Sequence, residues 1–377
     1  MSQDPLIANL PHGVRSRKVS NVNGLEMHIL EAGERGKPCV VLLHGFPELA
    51  YSWRACIGQL AEAGYYVIAP DQRGYGRTLG WEQGYDVDLQ KFSLPNLVSD
   101  ILTLLFRLKI DSVLSVVGHD FGSPVAGWCG LIRPDIFHSV VLMSAPFPGA
   151  PTPKSDRPGG VEINIGLTEM DPSRKHYQWY YSTREADSDM LDCQQGFRSF
   201  LRAYFFVKSG DNRKNDPHPL AAYSAEFLAQ LPTYYVMQAG ENMAETVEYG
   251  LPSGGDIASC TWLTEQDLDI YENEFTRTGL QGGLNWYRCG VSEIARDILQ
   301  LFRKVVLKQP TLFIAGARDW GVFQSPGAYE RMQTEICIDF KGTHLIDGAG
   351  HWVQQENPDR VNRLLLDFFA ITSQRRL

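Results

Sequence analysis

The sequence predicts an α/β protein with a mostly parallel, doubly wound sheet and an inserted helical cap, on two observations. Over the first 145 residues, apolar runs of strand length alternate with a helical pattern, which is typical of a parallel sheet with crossover helices. The strand-like pattern then stops and returns only after residue 310. Because it occurs at both ends of the chain, we expect one sheet built from both ends and an insertion between them.

The predicted strands are short apolar runs rich in β-branched residues, a composition that favours strands buried on both faces. They lie at 39–43, 65–68, 113–117 and 139–143 in the first part of the chain, and at 311–315 and 336–340 in the second. Between the second and third runs, leucine and isoleucine side chains recur at helical spacing and predict a helix over 95–108. A helix between two strands is the connection that parallel pairing requires.

The insertion begins at a proline-dense stretch, 144–153, which cannot continue a strand or a helix and predicts a linker. Residues 171–290 lack the strand–helix alternation and hold 19 of the 42 aromatic side chains, which favours an apolar tunnel. We predict a first core segment at 1–146, a linker and helical cap at 147–290, and a second core segment at 291–377. The polar stretch 209–259 is longer than a helix connection needs and is expected to shape ligand choice.

Composition and charge exclude several classes of protein. The formal net charge of −9 provides no basic surface for nucleic acid. The sequence has no apolar run near 18 residues and no signal peptide, and its seven cysteines are scattered without a CxxC pair. We therefore expect a cytoplasmic protein with no nucleic-acid partner and no transmembrane segment. The C-terminus resembles a peroxisomal targeting signal only in its last two residues. The oligomeric state, monomer or homodimer, stays open.

The most informative motif for the chemistry is VVGHDFG at 116–122. Its pattern predicts an apolar strand, a glycine-flanked turn and then a helix. This layout predicts a nucleophile elbow, which holds one side chain outward above a parallel sheet. The elbow residue is Asp120, where a serine would be usual. A carboxylate is a charged nucleophile suited to displacement at a strained or activated saturated carbon. The alternative is that Asp120 only caps the helix.

Three further segments are expected to meet this elbow. The turn after the first strand can direct the backbone N–H of Phe46 at the same space as that of Phe121, and two such donors form an oxyanion hole. Asp319 follows a predicted strand, and His351 lies on a glycine-rich loop after the last one. The chain order Asp120, Asp319, His351 is the order of nucleophile, acid and histidine in α/β-hydrolases.

The core motifs are HGFP at 44–47, GHDFG at 118–122, the strand-end Asp319 and GHW at 350–352. Two strings in the predicted cap are more specific: HYQWYY at 176–181 and NWYR at 285–288. On these motifs the chain resembles the soluble epoxide hydrolases of the α/β-hydrolase superfamily, over nearly its whole length. The resemblance implies an α/β-hydrolase fold with a helical cap, and conversion of an apolar epoxide to a 1,2-diol without metal or organic cofactor.

The resemblance also implies roles for individual residues. Asp120 would attack an epoxide carbon and form an ester, while Tyr177 and Tyr287 donate hydrogen bonds to the epoxide oxygen; Tyr180 and Tyr181 are close rivals of Tyr177. His351, oriented by Asp319, would activate the water that hydrolyses the ester. His351 must be neutral to act as a base, and the unperturbed pKa of histidine is ~6.5. We therefore predict that turnover falls as the pH drops below that value. The residues expected to bind substrate are His44, Pro47, Trp179, Trp286, Trp320 and Trp352.

Several alternatives stay open at this point. A haloalkane or haloacid dehalogenase would share the fold, the Asp nucleophile and the Asp–His pair, but two tyrosines suit an alkoxide better than a halide. A non-catalytic ligand receptor is disfavoured by the intact set of catalytic groups. His344 and Asp347 lie near His351 but lack a metal-ligand spacing, so no metal is expected. Phe121 departs from the tryptophan common after the nucleophile in the family, which leaves pocket shape and substrate open among fatty-acid, aryl and biosynthetic epoxides.

Overall fold

The structure, a computed structural model, describes residues 5–151 and 160–373. Its strands are β1 (Arg15–Val22), β2 (Leu25–Ala32), β3 (Cys39–Leu43), β4 (Tyr66–Pro70), β5 (Ser115–His119), β6 (Val140–Met143), β7 (Arg174–His176), β8 (Val236–Gln238), β9 (Leu307–Gly316) and β10 (Cys337–Ile346). Part of the proline-dense stretch and the last four residues, with the resemblance to a peroxisomal address, lie outside the described residues.

The helices of the first core segment are α1 (Pro5–Ala8), α2 (Arg54–Glu62), α3 (Leu94–Leu108) and α4 (Gly122–Ile132). Those between β6 and β9 are α5 (Gly160–Thr168), α6 (Tyr177–Tyr180), α7 (Ala186–Leu191), α8 (Phe197–Lys208), α9 (Ala225–Leu228), α10 (Met243–Glu248), α11 (Gly254–Ser259), α12 (Glu265–Thr278), α13 (Gln281–Val291) and α14 (Glu293–Leu299). After β9 follow α15 (Ala328–Arg331), α16 (Val353–Glu356) and α17 (Pro358–Ser373).

Eight strands form one sheet in the order β1-β2-β4-β3-β5-β6-β9-β10. The pairs from β4 to β10 are parallel, whereas β1–β2 and β2–β4 are antiparallel. The chain passes from β3 to β4 on one side and then to β5 on the other, so the strand order reverses between β3 and β5. Ligands of open α/β sheets bind at the carboxyl ends of the strands beside such a reversal.

Alternate side chains of the central strands enter two separate apolar cores, because successive residues of a strand point to opposite faces. Val40 and Leu42 of β3 pack in a core with α2 and α17, whereas Val41 and Leu43 pack in a core with α3 and α4. Every residue of β3 is buried. The sheet is therefore covered by helices on both faces, which confirms the predicted doubly wound α/β architecture.

The six predicted strands are confirmed, with boundaries shifted by up to six residues, but the hairpin of β1 and β2 was missed. Most of β1 is polar and at least partly exposed, so its sequence lacks the apolar run used to identify the others. β9 and β10 are longer than predicted, at ten residues each. The polar pattern of an edge strand thus concealed the antiparallel part of the sheet.

The region between β6 and β9 is largely helical, as expected, and adds no strand to the main sheet among its described residues. The stretch 209–259, expected as one long connection, instead contains β8 and three short helices, α9 to α11. β7 and β8 form a separate two-stranded antiparallel sheet. The domain boundaries at 146/147 and 290/291 remain a prediction.

No helix within residues 5–151 and 160–373 combines the length and apolar composition needed to cross a membrane.

Candidate active site

Asp120 lies in the tight turn between β5 and α4, at the carboxyl edge of the sheet. Its φ of 51° is in the left-handed region, which a non-glycine residue occupies at an energetic cost and which is common at functional turns. A Cβ at Gly118 would collide with the backbone of Gly122, and a Cβ at Gly122 would collide with the carbonyl of Leu43, so both positions require glycine. The strand–turn–helix layout is confirmed, and α4 begins two residues after Asp120, so Asp120 does not cap it.

The carboxylate of Asp120 contacts a histidine and a backbone donor with its two different oxygens. Oδ1 accepts a hydrogen bond of 2.9 Å from the N–H of Phe46, and Oδ2 lies 3.2 Å from Nε2 of His351. On the other side of the ring, Nδ1 of His351 lies 3.0 Å from Oδ1 of Asp319. Three residues far apart in sequence therefore form one continuous contact chain, with relative exposures of 8%, 1% and 1% for Asp120, His351 and Asp319.

The ends of two strands position the acid and the histidine. Asp319 follows β9, and its Oδ1 also accepts a hydrogen bond of 2.7 Å from the N–H of Gly321, at the start of a short 3₁₀ turn. His351 follows β10, and its backbone N–H donates to the carbonyl of Lys208 at the end of α8. The orientation of His351 thus depends on a carboxylate from the core and a carbonyl from the region between β6 and β9.

Charge couples these groups strongly. Burial opposes the charged form of His351, but Asp319 and Asp120 outweigh it and raise the pKa of His351 to about 9. Burial also opposes ionisation of Asp120, yet the contact with His351 holds the pKa of Asp120 well below its usual range. At neutral pH the resting site therefore contains an imidazolium between two carboxylates. The unperturbed value of ~6.5 does not hold for the resting enzyme.

The expected oxyanion-hole residues lie on both sides of the nucleophile. The N–H of Phe46 already binds Oδ1 of Asp120, so Oδ2 is the oxygen left for attack. Phe121 follows Asp120 directly, and its N–H remains a predicted donor. The rings of Phe46 and Phe121 lie 5.5 and 5.1 Å from the ring of Tyr287, measured between centroids. The ring of Tyr287 therefore packs against both residues whose N–H groups are expected to form the oxyanion hole.

Tyr177 lies beside Tyr287, with ring centroids 5.9 Å apart. Burial, and then the charge of Asp120, raise the pKa of both tyrosines, so both hydroxyls keep their protons at neutral pH. The Tyr177 hydroxyl donates to Oε1 of Gln324 at 3.1 Å, a bond it must exchange to donate to a substrate. No described residue accepts a hydrogen bond from the Tyr287 hydroxyl.

The hydroxyls of the two rival tyrosines have other partners. Tyr180 donates to Asp189 at 3.0 Å, and Tyr181 donates to the hydroxyl of Tyr204 at the same distance. The ring of Tyr181 lies 5.1 Å from that of Tyr287, so Tyr181 stays an alternative to Tyr177, and the assignment of Tyr177 remains a prediction.

The residues predicted to bind substrate fall into two groups. Trp179 and Trp286 line a cavity of about 640 Å³ that extends to Phe121. The other four are buried around the site: His44, Pro47, Trp320 and Trp352. Of these, His44 accepts a hydrogen bond from the N–H of Gln72, and Trp352 packs edge-on against His351 at 4.7 Å. Substrate contact by any of the six remains a prediction.

A buried glutamate–histidine pair behind the site was missed by the sequence analysis. Oε2 of Glu48 lies 2.6 Å from Nδ1 of His119, and Nε2 of His119 lies 2.6 Å from the carbonyl of His351. Burial opposes ionisation of Glu48, but His119 outweighs it and lowers the pKa of Glu48. The only available signal was proximity in sequence, since His119 precedes Asp120 and Glu48 follows the HGFP string.

A second missed residue, Glu356, connects the histidine loop to the end of α8. Its carboxylate accepts hydrogen bonds from the N–H groups of Gly350 at 2.8 Å, Trp352 at 2.9 Å and Gly210 at 2.7 Å. Burial raises the pKa of Glu356 to about 7, although these three bonds oppose the shift. A glutamate in a helix of four residues gave no sequence signal for this role.

Comparisons with known proteins agree with this geometry. The family model described as the alpha/beta hydrolase fold matches residues 38–358. Epoxide hydrolase B of Mycobacterium tuberculosis is 33% identical over 364 residues, covering 94% of this chain and 98% of that protein. The structure of an epoxide hydrolase from an endophytic Streptomyces superimposes with a TM-score of 0.76 at 30% identity, covering 96% of each chain. That of epoxide hydrolase A from Mycobacterium thermoresistibile gives 0.75 at 34%, covering 94% and 98%.

The family model and the sheet together define the class: this is an enzyme core of the α/β-hydrolase fold. Within that class, the extent and level of identity to the named relatives decide the family. The chain belongs to the epoxide hydrolases.

Proposed function

We propose that this enzyme converts an epoxide with an apolar body to a 1,2-diol through a covalent ester on Asp120. The observation that carries the proposal is a carboxylate, not a hydroxyl, at the elbow, with His351 3.2 Å away and with two neighbouring tyrosines whose pKa values its charge helps to raise. A carboxylate can displace the oxygen of a strained ring, and the tyrosine hydroxyls can bind that oxygen as it gains charge. The aromatic side chains of Phe46, Phe121 and Tyr287 suit an apolar substrate.

In the first step, Oδ2 of Asp120 attacks one epoxide carbon and the bond from that carbon to the ring oxygen breaks. The ring oxygen takes a proton from Tyr177 or Tyr287, which leaves a tyrosinate and a neutral ester. Because the ester no longer carries the charge of Asp120, the support for the imidazolium of His351 is reduced. His351 therefore transfers its own proton to the tyrosinate, directly or through solvent, and becomes a neutral base.

In the second step, neutral His351 removes a proton from water, and the resulting hydroxide adds to the ester carbon. The N–H of Phe46 stabilises the tetrahedral oxyanion at Oδ1, the position where it already binds the resting carboxylate. The bond from the ester carbon to Oδ2 then breaks, so Oδ2 leaves as the second oxygen of the diol and the oxygen of the water takes its place on Asp120. The departing alkoxide takes the proton of the new carboxylic acid, which restores the Asp120 carboxylate beside protonated His351 and releases the diol.

The first experiment is the intact mass of a His351→Gln variant after exposure to styrene oxide and to a set of haloalkanes. Glutamine blocks ester hydrolysis because it cannot act as the base, while Asp120 can still attack. We expect a mass gain equal to a whole epoxide, mapped by peptide analysis to Asp120. A His351→Gln/Asp120→Ala double variant should show no gain and serves as the matched control.

The other outcomes are equally informative. A gain equal to a haloalkane minus the hydrogen halide would identify a dehalogenase and overturn the proposal. An adduct on a residue other than Asp120 would overturn the assignment of the nucleophile. Turnover of an epoxide panel by the native enzyme, measured as diol, must accompany the adduct.

A further inference from the structure

Lys208, the last residue of α8, is a buried lysine within the active site. Its relative exposure is 4%, and its ammonium lies over four tyrosine rings, which we call the tyrosine cage. The distances from Nζ to the ring centroids are 5.7 Å for Tyr177, 4.7 Å for Tyr204, 5.8 Å for Tyr234 and 4.8 Å for Tyr235. One member of the cage, Tyr177, is a proposed proton donor to the epoxide oxygen.

Among the residues that the structure describes, the ammonium has no counter-ion in direct contact. No carboxylate of the described residues lies within 4.0 Å of Nζ, and no described residue accepts a hydrogen bond from it. Buried charges are normally paired, because an unpaired one loses its hydration without compensation. Cation–π contacts compensate for the lost hydration only in part. Burial lowers the pKa of Lys208 to about 8, although Asp120 and Asp319 oppose the shift, so the group is mostly charged at neutral pH.

The backbone of Lys208 is held against the loop of His351. Its carbonyl accepts a hydrogen bond of 2.9 Å from the N–H of His351. A Cβ at Gly350 would collide with the backbone of Lys208 and Ser209, so the two segments are in close contact. The backbone of Lys208 is thus fixed beside the catalytic histidine, and its ammonium, over the tyrosine rings, has hydrogen-bond donors that no described side chain uses.

The charges of the site also permit an anionic substrate. Asp120 and Asp319 carry two negative charges and His351 one positive charge, which leaves the contact chain with a net charge of −1 at neutral pH. Lys208 balances that charge, so the net charge of these four groups is zero before a carboxylate enters. A single ammonium matches a singly charged carboxylate better than a phosphate, which carries more charge.

We propose that Lys208 and the tyrosine cage form a subsite for a carboxylate of the substrate, so that the natural substrate is an epoxy acid. This inference rests on the proposed epoxide hydrolysis and specifies its substrate class. The apolar body would lie against Phe46, Phe121 and Tyr287, and the carboxylate would provide the ion-pair partner that no described residue offers to Lys208. Such a charge-assisted hydrogen bond is stronger than a neutral one.

The test compares ω-epoxy acids of increasing chain length, from epoxybutanoate to epoxydecanoate, each with its primary amide. Acid and amide have nearly the same shape and differ in charge, so the ratio of their kcat/KM values measures recognition of the carboxylate. For the native enzyme we expect the acid to be preferred at least tenfold at the best chain length. In Lys208→Met the ratio should fall to about one through a higher KM for the acid, whatever happens to absolute rates.

Lys175→Met is the matched control, since Lys175 also lies over a tyrosine ring, 5.0 Å from the centroid of Tyr180, but in β7 and away from the triad. It should keep the native ratio. If Lys208→Met does not fold, Lys208→Gln and competitive inhibition of the native enzyme by carboxylates against their amides provide the same comparison.

Three results would overturn the subsite. A native ratio near one at every chain length would show that no carboxylate is recognised. An unchanged ratio in the Lys208 variants would assign the preference to another residue. Equal losses for acid and amide would mean that Lys208 supports the reaction in general. In all three cases styrene oxide is still converted to its diol, whereas failure of the proposed function itself would leave every epoxide unchanged.

Discussion

The two sides of the active site differ in how their charged and polar groups are paired. On the core side, Asp120, His351 and Asp319 follow strand ends and are joined by contacts of 3.2 and 3.0 Å. On the cap side, Tyr287 and Lys208 lie on helices among aromatic rings and have no acceptor among the described residues. The core side is therefore preorganised for attack and hydrolysis, whereas the cap side holds donors that a substrate can engage.

The largest loss of activity is expected from changing the contact between Asp319 and His351 on the core side. In Asp319→Asn, the amide can present an N–H to Nδ1 of His351 and favour the wrong tautomer, as in other triads, where this costs about 10⁴-fold. Ester hydrolysis should fall by about that factor while ester formation continues. Quenched-flow and intact-mass measurements would then show the ester accumulating. Loss of both steps to the same degree would contradict this division of roles.

On the cap side, Tyr177→Phe and Tyr287→Phe each remove one donor to the epoxide oxygen. General-acid groups contribute about 10²–10⁴-fold, and because two donors share the task, each single variant should slow ester formation about 10²-fold. Removal of both should abolish measurable turnover. Tyr180→Phe is the matched control, because its hydroxyl binds Asp189 rather than facing the nucleophile. An equal loss in Tyr180→Phe would point to packing instead of proton donation.

The pH dependence should separate the two steps. His351, with a pKa of about 9 raised by Asp319 and Asp120, is protonated in the resting enzyme and must lose its proton to act as a base. Ester formation removes the charge of Asp120, so the pKa of His351 in the intermediate should lie below 9. Single-turnover decay of the ester should therefore rise about tenfold per pH unit and level off below pH 9. Ester formation should show no such rise, because Asp120 is already ionised.

A decay rate that stays constant from pH 5 to pH 9 would remove His351 from the role of base.

The smallest loss of activity is expected at Glu356, which connects the histidine loop of the core side to the end of α8 on the cap side. In Glu356→Gln, one of the three backbone N–H groups that the carboxylate binds must lose its acceptor, which costs about 1–3 kcal/mol of unfolding free energy. Because two of these bonds hold the loop of His351, ester hydrolysis should slow several-fold, more than ester formation. Thermal unfolding and single-turnover rates would measure the two effects. Lower stability with both rates unchanged would limit Glu356 to a structural role.

Much of the core could be predicted because its information is local. β3 is an uninterrupted buried apolar run, and Gly118 and Gly122 surround Asp120 at the spacing that the turn requires. The hairpin of β1 and β2 could not be predicted in this way, because β1 has a mostly polar, partly exposed sequence. Its pairing depends on contact with β2, which the pattern of β1 alone does not encode.

The sequence by itself determined the fold class, the carboxylate at the elbow and the chain order of Asp120, Asp319 and His351. These follow from short-range patterns, since parallel strands place their ends at one edge of a sheet. The tertiary structure decided the contact between the rings of Tyr177 and Tyr287, the pKa of His351, and the burial of Lys208 beside a histidine 143 positions later in the chain. Each of these depends on which distant groups share a low-dielectric space, a property of the folded chain path and not of any local pattern.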